Sequence, residues 1–129
     1  MSQVAIIKSS QIISEMLDNF LKDVGFHSVL LDTSDMKTFL TEKVQTVKFM
    51  IVPQNSINLY LELIHEANPK MMFLILKENG LKLKAKDALR YRIFGYIQNP
   101  IHLGELELML QRLKEYLNLE SLKSNTLKQ

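Results

Sequence analysis

The 129-residue chain has no cysteine, only four glycines and only three prolines. No disulfide can staple it, no thiolate can hold zinc and no thiol can act as a nucleophile, so the fold must rest on an ordinary apolar core. This absence fits a reducing compartment. Gly25, Gly80, Gly95 and Gly104 are too scattered to build a phosphate-cradling loop, which leaves nucleotide binding without its usual backbone amides. No uninterrupted apolar run approaches the roughly 20 residues of a spanning helix, and the opening MSQVAIIKSS is too short in apolar residues for a signal peptide. A soluble, cytoplasmic protein without membrane contact is therefore expected. An excess of one charge is missing too: 16 basic and 14 acidic residues give a formal net charge of +2, too balanced to hold nucleic acid by bulk charge.

What is present is 47% hydrophobic and 23% charged residues, the composition of one globular domain. Val4 to Ile7 is a short β-branched run, followed by the cap-forming Ser9 and Ser10. Ile12, Ile13, Met16, Leu17, Phe20, Leu21 and Val24 then recur at helical spacing, and Gly25 stands where a helix C-terminus needs it. Ser28 to Leu31 is a second strand; Asp32, Thr33, Ser34 or Asp35 can cap a helix carrying Met36, Phe39 and Leu40. Val47 to Val52 reads as a central strand stopped by Pro53, with a helix from Ile57 to Ala67 turning Leu59, Leu63, Ile64 and Ala67 inward. Met71 to Leu76 is a fourth strand, Leu83 to Tyr91 a weaker helix, Gly95 to Ile97 a fifth strand and Leu103 to about Leu119 a final helix.

Strand and helix thus alternate through five units, which requires a doubly wound α/β domain with a parallel sheet. The flavodoxin-like (βα)5 arrangement with strand order 2-1-3-4-5 is expected, with any site at the carboxyl ends of the strands. The domain is expected to span 1–119, leaving 120–129 as a polar tail or linker.

Val4-Ala5-Ile6-Ile7-Lys8-Ser9, Gly25-Phe26 and Tyr96-Ile97-Gln98-Asn99-Pro100 fall where response-regulator receiver domains carry their landmarks, and over about residues 3–118 the chain resembles that family. The resemblance implies the fold of the chemotaxis regulator. It also implies a site made of an acidic pair after strand one, a phosphoaccepting Asp after strand three, a Thr or Ser after strand four and a Lys-Pro after strand five. In this chain those places hold Lys8 and Ser9, Pro53, Lys77 (or Leu76, one position earlier) and Asn99. Aspartyl phosphorylation needs a carboxylate nucleophile and further carboxylates to hold Mg²⁺. Pro53 supplies no nucleophile, and Lys8 brings a positive charge to the cation's place. The resemblance therefore implies a degenerate pseudo-receiver with no metal, no cofactor and no enzymatic activity. It further places Tyr96 at the family's aromatic switch position, here held by packing, and a cis peptide before the retained Pro100.

Other chemistries are weaker. His27, His65 and His102 share no ligand spacing, and Ser9 and Ser10 lack a nucleophile elbow, so helix capping accounts for both serines. Lys77, Lys82, Lys84, Lys86, Arg90 and Arg92 face only Glu78 and Asp87, a basic stretch that serves either as a solvated face or as a contact surface for an acidic partner or a second copy. In the last helix Leu103, Leu106, Leu110, Leu113 and Leu117 form an inner stripe, widened by Met109 and Tyr116, while Leu108 and Leu119 project oppositely. Lys84, Arg90, Arg92, Leu108, Tyr116 and Leu119 are thus the candidate interface.

The expectation is a phosphorylation-independent regulatory domain that dimerises or docks on a protein partner, placed N-terminal to a DNA-binding output domain of an atypical response regulator and making no nucleic-acid contact itself. A stand-alone signalling adaptor, or a module binding an anion or small ligand between Lys8 and Lys77, are the alternatives.

Overall fold

The computed structural model describes residues 3–54, 57–77, 90–98 and 100–127, and for 57–59 and 119–127 the backbone alone. Five strands, β1 (Gln3–Ile7), β2 (His27–Leu31), β3 (Phe49–Pro53), β4 (Met72–Leu76) and β5 (Arg92–Ile97), form one sheet in the order β2-β1-β3-β4-β5. Every pairing is parallel, as expected from the alternation of strand and helix. β1, β3 and β4 are interior strands, and from Val4 onward all their residues are buried, which is why they read as continuous apolar runs rather than alternating ones.

Because side chains alternate across a strand, the sheet feeds two layers. Ala5, Ile7, Met50, Val52, Phe73 and Ile75 belong to one cluster with Met36, Phe39, Leu61 and Ile64. On the other face the Phe26 and Phe49 rings meet edge to face at 5.5 Å, below the buried Leu17 and Leu21 of helix α1 (Gln11–Asp23). Helix α1 begins where the sequence places it: the Ser10 hydroxyl accepts from the Ile13 amide. It ends at Gly25, whose φ of 96° lies in the left-handed region.

Between β2 and β3 the chain is helical but irregular. A 3₁₀ turn (Thr33–Asp35) leads into the short α2 (Met36–Thr38), a π segment (Phe39–Lys43) and a second 3₁₀ turn (Val44–Thr46). Asp35 caps it by accepting from the Asp32 amide. Helix α3 (Ile57–Ala67) has the expected bounds; Ile64 is buried and Ala67 packs against the core as expected, but Leu61 is buried in place of Leu63, which is exposed. The buried positions follow the 3.6-residue period set by Leu61 and Ile64, which turns Leu63 outward. Residues 78–89, which hold Lys84 and most of the expected fourth helix, lie outside the described residues. Strand β5 starts at Arg92, earlier than Gly95, and carries a bulge where Phe94 is left out of the pairing with Phe73 and Leu74.

Residues 1–99 and 100–129 are two compact units. In the second, helix α4 runs from Leu103 to Leu127, past the end expected near Leu119, since neither Gly nor Pro interrupts the segment 120–127. Leu106, Leu110 and Leu113 are buried, Leu103, Leu108 and Tyr116 exposed. Leu103 and Tyr116, both expected on the inner side, thus depart from it; Leu103 is the first residue of the helix and stands at the end of the stripe.

Candidate functional site

The carboxyl ends of the strands are where a parallel α/β sheet places its chemistry, because each chain leaves the ladder there and diverges from its neighbours. The ladder overruns β1 and β4 by one residue: the Lys8 amide donates to Leu31 and the Lys77 amide to Ile97. Both lysines therefore emerge from well-fixed backbone, and each amine finds its own partner. Lys8 Nζ donates to an Asp32 carboxylate oxygen at 3.2 Å, tying the end of β1 to the end of β2. Lys77 Nζ stands over the Tyr96 ring, a β5 side chain packed against the core cluster.

Pro53 closes β3, fully buried and in register with Leu76. The proline side chain offers no nucleophile there. Lys8 and Lys77 follow strands separated by β3, roughly 10 Å of sheet. With each amine turned to a separate partner, the geometry gives no support to a shared anion site. Tyr96 is held by packing and by Lys77, and Pro100 is exposed. Asn99, and with it the peptide bond preceding Pro100, lies outside the described residues.

A cavity of about 450 Å³ opens beside β1, on the β2 side. Lys8, Ser9, Ser14, Asp32, Thr33 and Tyr60 contribute to its walls. Of the expected pocket residues that the structure describes, Lys8 and Ser9 line it, and Pro53 and Lys77 do not. Ser14 is buried, and its hydroxyl oxygen accepts from the Ser9 amide at 3.0 Å, fixing the turn from β1 into α1. Two carboxylates also border the cavity, Glu15 and Asp32. Both escaped the sequence reading: Asp32 looked like a helix cap and Glu15 like the solvent face of α1. The signal for Asp32 was available only through the fold, since Lys8 and Asp32 are 24 residues apart and meet because β1 and β2 pair in parallel.

The carboxylates are not arranged to hold a metal. Glu15 accepts from Gln11, Asp32 is engaged by Lys8, and among the described residues no three His, Cys, Asp or Glu side chains are grouped as a metal site. Away from the crevice, Asp18 lies between Lys22 and Ser28. Burial pushes its carboxyl up, but hydrogen bonds from Lys22 and Ser28 and the charge of Lys22 outweigh that, leaving it below the ordinary value.

The basic stretch is partly visible. Arg90 bridges to Glu62 at 2.9 Å and lies over the Tyr91 ring, and Arg92 donates to the Lys70 carbonyl at 2.8 Å. The side chain of Leu119 lies outside the described residues, while Leu108 is 56% and Tyr116 40% exposed.

No protein-family model and no curated protein sequence matches the chain. Solved structures do. The response regulator receiver domain protein of Clostridium thermocellum superposes with a TM-score of 0.75 at 18% identity, covering 92% of this chain and 98% of that one. NtrX of Brucella abortus, solved in complex with ADP, gives a TM-score of 0.79 at 17% identity, covering 97% of this chain but 29% of NtrX. A CheY-like protein, tadZ, of Pseudomonas aeruginosa gives 0.69 at 14% identity, covering 88% and 99%. The sheet order and these likenesses define a doubly wound parallel α/β domain. Within that class, the fold is the receiver type of response regulators.

Proposed function

We propose that this chain is a phosphorylation-independent, receiver-like regulatory domain that acts by self-association. The observation that carries the proposal is the end of β3, where Pro53 is buried and offers no carboxylate; on the resemblance to receivers this is the place of the nucleophile. The lysine beside it on β1 supports the same reading. Lys8 is neutralised by Asp32, so the nearest carboxylate is spent on an ion pair rather than kept for Mg²⁺. A domain unable to take up a phosphoryl group signals by being present, paired or docked.

Self-association draws support from helix α4. Its first turns expose Leu103 and Leu108 together with Glu105 and Glu107, and Tyr116 is exposed further along. The other unit carries the exposed cations Lys70 and Arg90. A second copy offers apolar cover for the exposed leucines of α4. Attachment to a C-terminal DNA-binding domain extends the proposal, in keeping with NtrX being much longer than this chain.

Incubation with acetyl phosphate and Mg²⁺ followed by intact-mass measurement tests the central point. The mass is expected to stay unchanged. An acid-labile phosphoryl adduct on any carboxylate of the crevice overturns the reading.

A further inference from the structure

Strand β2 is an edge of the sheet, paired on one side only, by β1. The Lys8 amide donates to the Leu31 carbonyl, so the backbone groups of Leu31 point toward β1. The N–H and C=O of a strand residue share a side and switch sides at the next residue. His27 and Val29 therefore also turn theirs to β1, while Ser28 and Leu30 turn theirs outward. The outward row is closed at both ends: the Phe26 amide donates to the Leu21 carbonyl and the Asp32 amide to the Asp35 carboxylate. Between those ends stand the amides and carbonyls of Ser28 and Leu30, with no strand beside them among the described residues.

We propose that this edge pairs with the same edge of a second copy, antiparallel about a two-fold axis at Val29. In that register Ser28 of each copy exchanges both backbone hydrogen bonds with Leu30 of the other, so every outward group finds a partner. Val29 then faces Val29 across the axis as a close, non-hydrogen-bonded pair. It lies on the same face as the core residue Ala5, yet it is 40% exposed in the single copy, and the pairing covers it. His27 faces Leu31, so no side chain of the strand meets a charge of its own sign.

The two edges of the sheet are not alike. β5 opens with Arg92 and carries a bulge, both of which hinder a further strand, whereas β2, with the sequence HSVLL, has neither lysine, proline nor bulge. Area sets the strength of the contact. A five-residue strand is roughly 17 Å long, and its edge covers well under the roughly 1,200–2,000 Å² of a stable dimer. The pairing is therefore weak and depends on concentration, joining copies only above the concentration at which α4 does. It extends the self-association proposed above to a second surface and does not rest on α4.

The chain has no cysteine, so Val29→Cys gives each copy a single thiol. The variant is made in the full chain with and without Leu108→Glu, so that failure of the α4 pairing and failure of this one are read apart. Oxidation with copper phenanthroline at up to millimolar protein is expected to link Val29→Cys into a disulfide dimer, because the close pair brings the two Cβ atoms within reach of a disulfide. His27→Cys is the control. Its side chain is also exposed, but it lies four residues, roughly 14 Å, from its own counterpart across the axis, and it is expected to link at least about tenfold more slowly. In the unsubstituted chain, hydrogen exchange at the Ser28 and Leu30 amides is expected to slow as concentration rises. Val29→Lys sets like charges face to face and is expected to abolish that slowing with the melting temperature preserved. Equal cross-linking of the two cysteine variants overturns the proposal, as does the absence of a disulfide dimer in Val29→Cys. Exchange at Ser28 and Leu30 that does not change with concentration overturns it too.

Discussion

The Lys77 ammonium lies 4.6 Å from the centre of the Tyr96 ring, one residue beyond the end of β4 and over a side chain of β5. Ile75 pairs with Tyr96 in the ladder, so the contact joins neighbouring strands at their carboxyl ends. A cation over an aromatic face contributes about 0.5–1 kcal/mol when exposed to solvent and more when desolvated.

Lys77→Gln is therefore expected to lower unfolding free energy by about 0.5–1 kcal/mol and to shift the Tyr96 ring resonances, with little change elsewhere. Tyr96→Phe keeps the ring face and is expected to preserve most of the coupling. A double-mutant cycle between Lys77→Gln and Tyr96→Leu measures it directly. A coupling energy of zero removes the contact from the stability of the crevice.

Asp18 provides a pH test. Its folded-state carboxyl is held below the ordinary value once the Lys22 and Ser28 hydrogen bonds and the Lys22 charge have overcome burial. A depressed carboxyl contributes stability above its unfolded pKa, about 3.9, and loses it as pH falls through the folded value. Denaturant unfolding of the wild type and Asp18→Asn is expected to differ most above about pH 4 and to converge below it. Ser28→Ala, which removes one donor, is expected to cost about 1 kcal/mol at neutral pH. A constant difference between wild type and Asp18→Asn across that range would contradict the assignment.

Gly25 turns the chain from α1 toward β2 at a φ of 96°, where a Cβ is disfavoured. Gly25→Ala is expected to destabilise the fold by about 1 kcal/mol, read by thermal or urea unfolding. Gly104 offers a contrast: a Cβ there meets nothing within 4 Å, and the residue lies inside α4. Gly104→Ala is expected to stabilise that helix by about 0.5–1 kcal/mol. Opposite signs at the two glycines are the outcome that checks both.

These tests also show what the sequence displayed. The start and stop of α1 were legible because they are local: Ser10 caps it and Gly25 releases it within a few bonds of the residues concerned. The interior strands were legible because burial on both faces makes them apolar throughout. Strand β5 was not read from its start, because Arg92 looks like the end of a basic helix and an edge strand tolerates polar residues. On α3 the inward Ile64 and Ala67 were legible, whereas Leu61 and Leu63 offer competing apolar choices that only packing decides. That Pro53 ends β3 and Lys8 follows β1 was legible because each closes an apolar run. The Lys8–Asp32 pair was hidden because strand pairing alone brings the two residues together.

Helix α4 yields the test of self-association. Leu108 is 56% exposed, and fully burying an exposed leucine is worth about 1.5–3 kcal/mol, so an interface that seats it gains about half of that, roughly four- to twentyfold in affinity. A stable pairing of two copies needs roughly 1,200–2,000 Å² of buried surface, more than Leu108 supplies, so the polar side chains around it on α4 must be covered with it. Sedimentation velocity over a concentration series is expected to show a dimer for the wild type. Leu108→Glu places a charge where the leucine would be seated and is expected to shift the equilibrium to monomer, with far-UV circular dichroism and melting temperature preserved because the side chain is exposed in the single copy. Leu103→Ser is expected to weaken the dimer less. A dimer that persists unchanged in Leu108→Glu removes this face of α4 from the interface and leaves the cations about Arg90 as the surface to be tested, by Arg90→Glu in the same experiment.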